Sequence, residues 1–330
     1  MNWKDFLLDG VLDWLLEPEN PSIRYWTLQH LSEKSPKDIE VRKAQSDIME
    51  SRCVEKILRA QEKEGHWEQK ENMYLPKYTA TTHNLLLLAE LGAIRTNQIE
   101  QAIEHVFQFQ VNSGHFRMTI PKTKKGKDSK LRDMCCFDGN ILYYLLHFGY
   151  LKDPRVKQLI QFLIENHSDD YGWLCRAFPL EPTKVFPKNC FMGAVKVLRG
   201  LVVIPIKDRP KEVQLIINQE VENIFQNEIY KYLRLPDGSR KIKAGWRTFR
   251  FPLFYQSDIL EVLDILTSFG VKDERMQETI DMVASKQMKD GKWEMRSTFN
   301  EKMLCDIDVK NEASKWITLR ALRVLKRYYN

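Results

Sequence analysis

What most constrains this chain is that it repeats. Three stretches share one plan: an apolar helix, a glycine, a short polar turn, an amphipathic helix and a glycine–aromatic turn. The first runs Leu85 to Gly92, then Ile99 to Gln110, then Gly114-His115-Phe116. The second runs Ile141 to Gly149, then Val156 to Asn166, then Gly172-Trp173. The third runs Ile259 to Gly270, then Met276 to Gln287, then Gly291-Lys292-Trp293. In each, the first helix stops at a glycine because a left-handed helix cap costs least there.

Weaker copies fill the gaps. Ser22 to Leu31 with Val41 to Gln61 and Gly65-His66-Trp67 makes one, and Phe191 to Val203 with Val213 to Leu233 makes another. Trp3 to Leu16 and Glu312 to Tyr329 are left as unpaired helices at the two ends. Pairing them predicts an all-α fold over residues 1–330 as one domain, a closed ring of six hairpins. An open solenoid with separated ends satisfies the same pattern. Ser22, Thr82, Asn189, Ser257 and Ser314 each precede a first-type helix, where a side-chain oxygen caps a free amide. Thr119 to Asp133 and Leu235 to Pro252 are expected to be polar, basic loops.

Composition sets outer bounds. Scarce Gly (14) and Pro (13) argue against a turn-rich all-β fold. Lys and Arg (51) exceed Asp and Glu (45) only slightly, so charge alone points to no nucleic-acid partner and supports at most a modest preference for anions. The N-terminal segment carries acids inside its apolar stretch, unlike a signal peptide. The longest clean apolar run, Leu85 to Ala89, is too short for a transmembrane segment. A cytoplasmic address is expected, where the six cysteines are thiols or metal ligands rather than disulfides.

The glycine–aromatic turns carry a family resemblance. Gln61-Glu62-Lys63-Glu64-Gly65-His66-Trp67 and Gln287-Met288-Lys289-Asp290-Gly291-Lys292-Trp293 resemble the QW-type repeats of squalene and other class II terpenoid cyclases, and Asp169-Asp170-Tyr171-Gly172-Trp173 is a copy lacking the leading Gln. In such a turn the Gln can bond backbone groups left over at helix ends, and the Trp packs its apolar face over the turn. The chain is also similar to protein prenyltransferases in its ring. The resemblance spans nearly the whole length and implies an (α/α)6 toroid, with an isoprenoid or other apolar or phosphorylated small molecule in the central cavity. A non-catalytic binding or scaffold protein on the same ring is the alternative.

In that architecture the first helix of each hairpin lines the inner wall, and the six N-termini open at one mouth, where their half-positive ends favour an anion. Arg24, His83, Cys136, Asp138, Cys190, Tyr255, Asp258, Lys315 and Trp316 stand at these helix starts. Arg24, His83, Tyr255, Lys315 and Trp316 are thus expected to contact substrate. So are Arg247 and Arg250, in a basic loop interleaved with Trp246, Phe249 and Phe251. Cys136, Cys175 and Cys190 would return to the same mouth and could hold zinc, with Cys135 an equal alternative to Cys136. Buried cysteines also serve as small apolar groups.

The resemblance also brings chemistry that this chain matches only in part. Protein prenyltransferases bind zinc through Asp, Cys and His, the cysteine in a stretch similar to Phe186 to Phe191, but Lys188 stands where the family has its Asp. Class II cyclases protonate substrate from an Asp-x-Asp-Asp motif. The nearest match is Asp306-Ile307-Asp308-Val309, giving Asp306 and Asp308 as candidate acids with the third Asp missing. A carbohydrate-active enzyme on a similar ring would need paired carboxylates, for which Asp138 and Asp258 are the candidates.

Overall fold

A computed structural model describes residues 2–120, 130–132, 134–169, 172–173, 190–231, 233–234, 239–243 and 245–330. Among them lie thirteen α-helices: α1 (Val11–Leu15), α2 (Pro21–His30), α3 (Ile39–Met49), α4 (Arg52–Arg59), α5 (Thr81–Leu91), α6 (Asn97–Phe107), α7 (Cys135–His147), α8 (Pro154–Glu165), α9 (Phe191–Leu201), α10 (Lys211–Gln226), α11 (Ile259–Ser268), α12 (Gln277–Ala284) and α13 (Lys315–Tyr329). The fold is all-α. Its described strands are three short antiparallel pairs in the connections, such as Met118–Ile120 with Lys130–Arg132. These pairs place regular backbone at the edges of both expected loops. No helix among the described residues is long and apolar enough to cross a membrane.

The first-type helices α5, α7, α9, α11 and α13 are buried nearly all round, as an inner wall requires, whereas α2 buries five of its ten residues. They touch in sequence order: α5 against α7, α7 against α9, α9 against α11, α11 against α13, and α13 back against α2. The Trp26 indole N–H bonds the Glu90 carbonyl at 2.9 Å, linking α2 to α5. Helices α7 and α9 approach most closely because glycines face the contact. A Cβ on Gly139 would lie 2.4 Å from the Lys196 backbone.

Three of the junctions between neighbouring hairpins are locked by the same turn. Gln61 donates from Nε2 to the carbonyl of its own Gly65 (2.9 Å) and to that of Gln98 in α6 (2.9 Å). Gln110 does the same to Gly114 (2.7 Å) and Arg155 in α8 (2.8 Å). Gln287 repeats it with Gly291 (3.0 Å) and Phe6 (2.6 Å). The indole N–H of Trp67, Trp173 and Trp293 each reaches the carbonyl ten residues back, on Ile57, Leu163 and Val283, at 2.7–2.8 Å. The turn glycines Gly65, Gly114 and Gly291 take φ of +89°, +94° and +80°. A Cβ at Gly65 would sit 2.6 Å from the Gln101 carbonyl oxygen.

At Gln287 the acceptor lies on the other end of the chain, so Phe6 stands where an outer helix stands elsewhere. The ends pack together around this bond. Phe6 stacks on Tyr329 at 6.0 Å, Lys326 donates to the Leu31 carbonyl at 2.8 Å, and Lys315 meets Glu17 at 2.6 Å.

Several local expectations are corrected. Trp3 to Leu16 is a 3₁₀ turn (Trp3–Phe6) and the short α1 rather than one helix. Val41 to Gln61 is two helices, broken at Glu50 and Ser51. Of the proposed caps, Ser314 accepts the Ile317 N–H, but α11 is capped by Asp258, α2 starts after Asn20, and α5 starts after Ala80. Asp258 wins over Ser257 because its carboxylate takes the Glu261 N–H at 2.8 Å. Cys53 and Cys305 form a disulfide, with Cα atoms 5.4 Å apart, contrary to the expectation that all six cysteines are thiols or ligands. The fold carries them from positions 252 residues apart to adjacent backbone, which the spacing alone did not reveal.

The turn geometry sets a prediction. Gln287→Ala removes two bonds at the junction of the chain ends and is expected to cost about 1–3 kcal/mol in urea unfolding. Gly65→Ala is expected to cost more than Gln61→Ala, since it adds both a clash and an unfavourable φ.

Candidate functional site

The helix starts, where sequence placed the site, are largely filled. Tyr74, Tyr78, His83, Phe254 and Phe299 pack together there, with Tyr78 stacked on Phe299 at 4.5 Å and His83 against Phe254 at 5.2 Å. A chamber of about 20 Å³ remains, lined by His83, Cys136, Asn140 and Tyr255 among others. That is room for one water. His83 is held neutral, its imidazole pushed down to about 3 by burial and by Lys77.

The other candidates have local partners. Arg24 bonds the Leu16 carbonyl and faces Glu40 at 3.9 Å. Lys315 meets Glu17 and lies over the Trp14 ring. Arg247 is exposed and donates to the Tyr230 hydroxyl at 3.3 Å. The Arg250 N–H donates to Asp258 Oδ2 at 3.2 Å, and Trp246, Phe249 and Phe251 beside it are buried core. Tyr255 shares a 3.4 Å hydroxyl contact with Tyr78.

The candidate acids sit at turns. Asp138 accepts the Phe116 N–H at 2.8 Å, the place that Thr81 fills for Trp67 and Thr318 for Trp293. Asp306 accepts the Glu301 N–H, and Asp308 accepts from the Ser314 hydroxyl at 2.6 Å. Of the cysteines, Cys135 lies with Cys190 beside Gly193, whereas Cys136 lines the small chamber. Cys175, Asp170, Lys188, Asn189 and the lysines at 122–127 lie outside the described residues. Among the described residues there is no group of three or more His, Cys, Asp or Glu able to hold a metal ion.

The larger space is at the opposite end. A cavity of about 340 Å³ lies mainly between the C-terminal halves of α2, α5, α7, α9 and α11 and along α13. Trp26, Tyr143, Val202, Val203, Ile265, Trp316 and Leu319 supply its apolar walls. Its polar groups are His30, Glu90, Arg199, Glu261, Asp264, Ser268, Arg320, Arg323 and Arg327. Of the residues nominated from sequence, Trp316 alone lines it. Its ring stacks on Phe251 at 3.9 Å.

The charges are tightly paired. Asp264 accepts from Arg323 (Nε at 2.9 Å) and Arg327 (3.0 Å). Burial alone would raise its carboxyl, but Arg323, Arg327 and Arg320 together hold it well below the usual carboxylate range. Lys196, completely buried, donates to both oxygens of Glu261 at 2.6 and 2.8 Å. Arg199 pairs with Glu90, lies 3.6 Å from Glu261, bonds the Leu253 carbonyl at 3.2 Å and sits over the Tyr143 ring. His30 stacks on Trp26 and is pushed down to about 2, by burial first and then by Arg323 and Arg327. The arginines also complement the negative ends of the surrounding helices.

These residues did leave a signal. Glu90, Lys196, Arg199, Glu261 and Asp264 interrupt helices that must be buried on every side. Arg320, Arg323 and Arg327 follow at i, i+3 and i+7 on the last one, sharing a face.

No protein-family model matches the chain, and no curated protein matches it. Solved structures do. A glycosyl hydrolase family 88 protein from Bacteroides vulgatus aligns over 99% of both chains, with a TM-score of 0.50 and 11% identity. The type II terpene cyclase MstE from Scytonema aligns over 93% of this chain and 87% of its own, with a TM-score of 0.45 and 12% identity. At such identity the likeness to the hydrolase concerns fold alone. It is the α/α-toroid architecture.

Asp258 gives a pH test. Burial pushes its carboxyl up to about 6 against the opposing pull of Arg320. The folded chain therefore keeps this proton between about pH 4 and 6, where the unfolded chain has released it. Stability from this group is present at low pH and falls as pH rises through that window, by ~3 kcal/mol. Asp258→Asn lacks the titration. Its stability relative to wild type should rise by that amount from pH 4 to pH 7 in denaturant melts. A flat difference would mean that Asp258 titrates normally.

Proposed function

We propose that this protein is a small-molecule-binding toroid, closed as six hairpins in an (α/α)6 ring. Its ligand, an apolar or phosphorylated compound such as an isoprenoid, occupies the cavity at the C-terminal ends of the inner helices. The observation that carries this reading is the cavity itself. It is about 340 Å³, within the usual range for ligand pockets, and combines aromatic and aliphatic walls with a few converging polar groups. The contacts from α5 round to α13 and back to α2, with the Gln287–Phe6 bond at the junction, support closure.

Binding is favoured over acid-initiated cyclisation. A cyclase acid must hold a proton at working pH. The carboxylates facing this cavity are paired instead with arginine or lysine, and Asp264 is held ionised. Such groups position a ligand; they do not protonate one.

The test is calorimetric titration with geranyl diphosphate and geraniol. Saturable binding at one site per chain is expected. Val202→Trp, which places an indole at the half-buried rim of the cavity, should abolish it without lowering the melting temperature. Binding that is undiminished in Val202→Trp would move the ligand elsewhere and overturn the reading.

A further inference from the structure

We propose that Arg320 is the ligand anchor, and that the ligand class is an amphiphile with a carboxylate or phosphate head on an apolar body. This rests on the cavity being a binding site, and it adds which ligands enter and how they are oriented.

Three of the four cavity arginines are committed. Arg199 has Glu90, Glu261, the Leu253 carbonyl and the Tyr143 ring. Arg323 donates to both oxygens of Asp264. Arg327 donates to Asp264 Oδ1 and, at 2.6 Å, to the Ser268 hydroxyl. Arg320 differs. Its side chain is only 10% exposed, it lines the cavity, and its nearest carboxylate oxygen, on Asp264, is 4.0 Å from Nε. That is outside hydrogen-bond range, and Asp264 already serves two guanidiniums. No hydrogen bond to Arg320 is found among the described residues. A guanidinium carries five N–H donors that cannot be switched off by deprotonation, and those of Arg320 are open to the cavity.

Charge counting agrees. Lys196, Arg199, Arg320, Arg323 and Arg327 are the cations on and just behind this wall. Glu90, Asp258, Glu261 and Asp264 are the anions. One positive charge is left over even with every carboxylate ionised. Asp258 pulls on Arg320 electrostatically but forms no hydrogen bond with it; its oxygens take the backbone N–H groups of Arg250 and Glu261.

The shape of the donor selects the head. A planar fork matches two oxygens on one centre, so carboxylate and phosphate fit and an alcohol does not. Trp316 and Leu319 stand one turn or less before Arg320 on the same helix, and Ile265 and Val202 line the same space. These side chains would take the apolar body. Neutral His30 adds a hydrogen-bonding group without adding charge.

The experiment compares geranyl monophosphate, decanoate, geraniol and decanol by calorimetry on wild type, Arg320→Gln and Arg320→Lys. At least one anion should bind wild type about tenfold or more tightly than its matching alcohol. Arg320→Gln should erase that preference while leaving alcohol affinity within about twofold, and Arg320→Lys should restore it only in part. Which anion shows the effect tells carboxylate from phosphate. Equal binding of anions and alcohols to wild type, or an anion preference that survives in Arg320→Gln, overturns the proposal while leaving the cavity reading intact. If none of these compounds binds wild type, or if binding is undiminished in Val202→Trp, the cavity reading itself fails. Should Arg320→Gln prove unstable, ligand-induced rises in wild-type melting temperature decide: a rise with an anion and none with its alcohol supports the anchor, and equal rises refute it.

Discussion

The fold depends on one recurrent hydrogen-bonded clamp, a glutamine amide that grips two backbone carbonyls across neighbouring hairpins. One carbonyl belongs to the glutamine's own turn and the other to the next outer element. The second carbonyl lies in the first turn of the next outer helix, on Gln98 and Arg155, so the amide ties the end of one hairpin to the start of another. A left-handed glycine allows the turn to press directly onto the neighbouring backbone, and the following indole seals it from above. At each of the three junctions where it occurs, the clamp holds one hairpin against the next through local chemistry. At the last step the clamp takes its second carbonyl from Phe6, and the two termini become neighbours.

The interior that results is divided unequally. At the helix starts, tyrosines, phenylalanines and His83 fill the axis and leave little space. At the helix ends, charged side chains hold the walls apart, because paired guanidiniums and carboxylates must remain solvated or bonded and cannot collapse as aromatics do. Charges so deep in a protein are seldom kept for stability, since apolar packing usually serves as well or better. Their concentration around one hollow is what the proposed ligand site rests on.

The legibility of this chain divides along the same line. Gln61, Gly65 and Trp67 make local contacts at fixed spacing, so their roles could be read from the sequence together with the helical repeat. Helix caps were less legible, because Ser257 and Asp258 compete within one residue and only geometry chooses between them. The cavity was hardest. Arg320, Arg323 and Asp264 meet across more than fifty residues, and which face of each helix turns inward is not fixed by a pattern that is apolar all round. Expecting an anion at the helix starts relied on partial charges alone. It gave no weight to the aromatic side chains of Tyr74, Tyr78 and Phe299, which come from connecting segments and occupy that end.

Helix α13 joins two roles that most proteins keep apart. Its fifteen residues supply the arginine stripe and also the surface on which Trp3, Phe6 and Glu17 dock. A substitution that unseats Trp3 or Phe6 from this helix would therefore also disturb the arginines on its other face, so that the seam between the chain ends and the wall of the hollow cannot be altered independently.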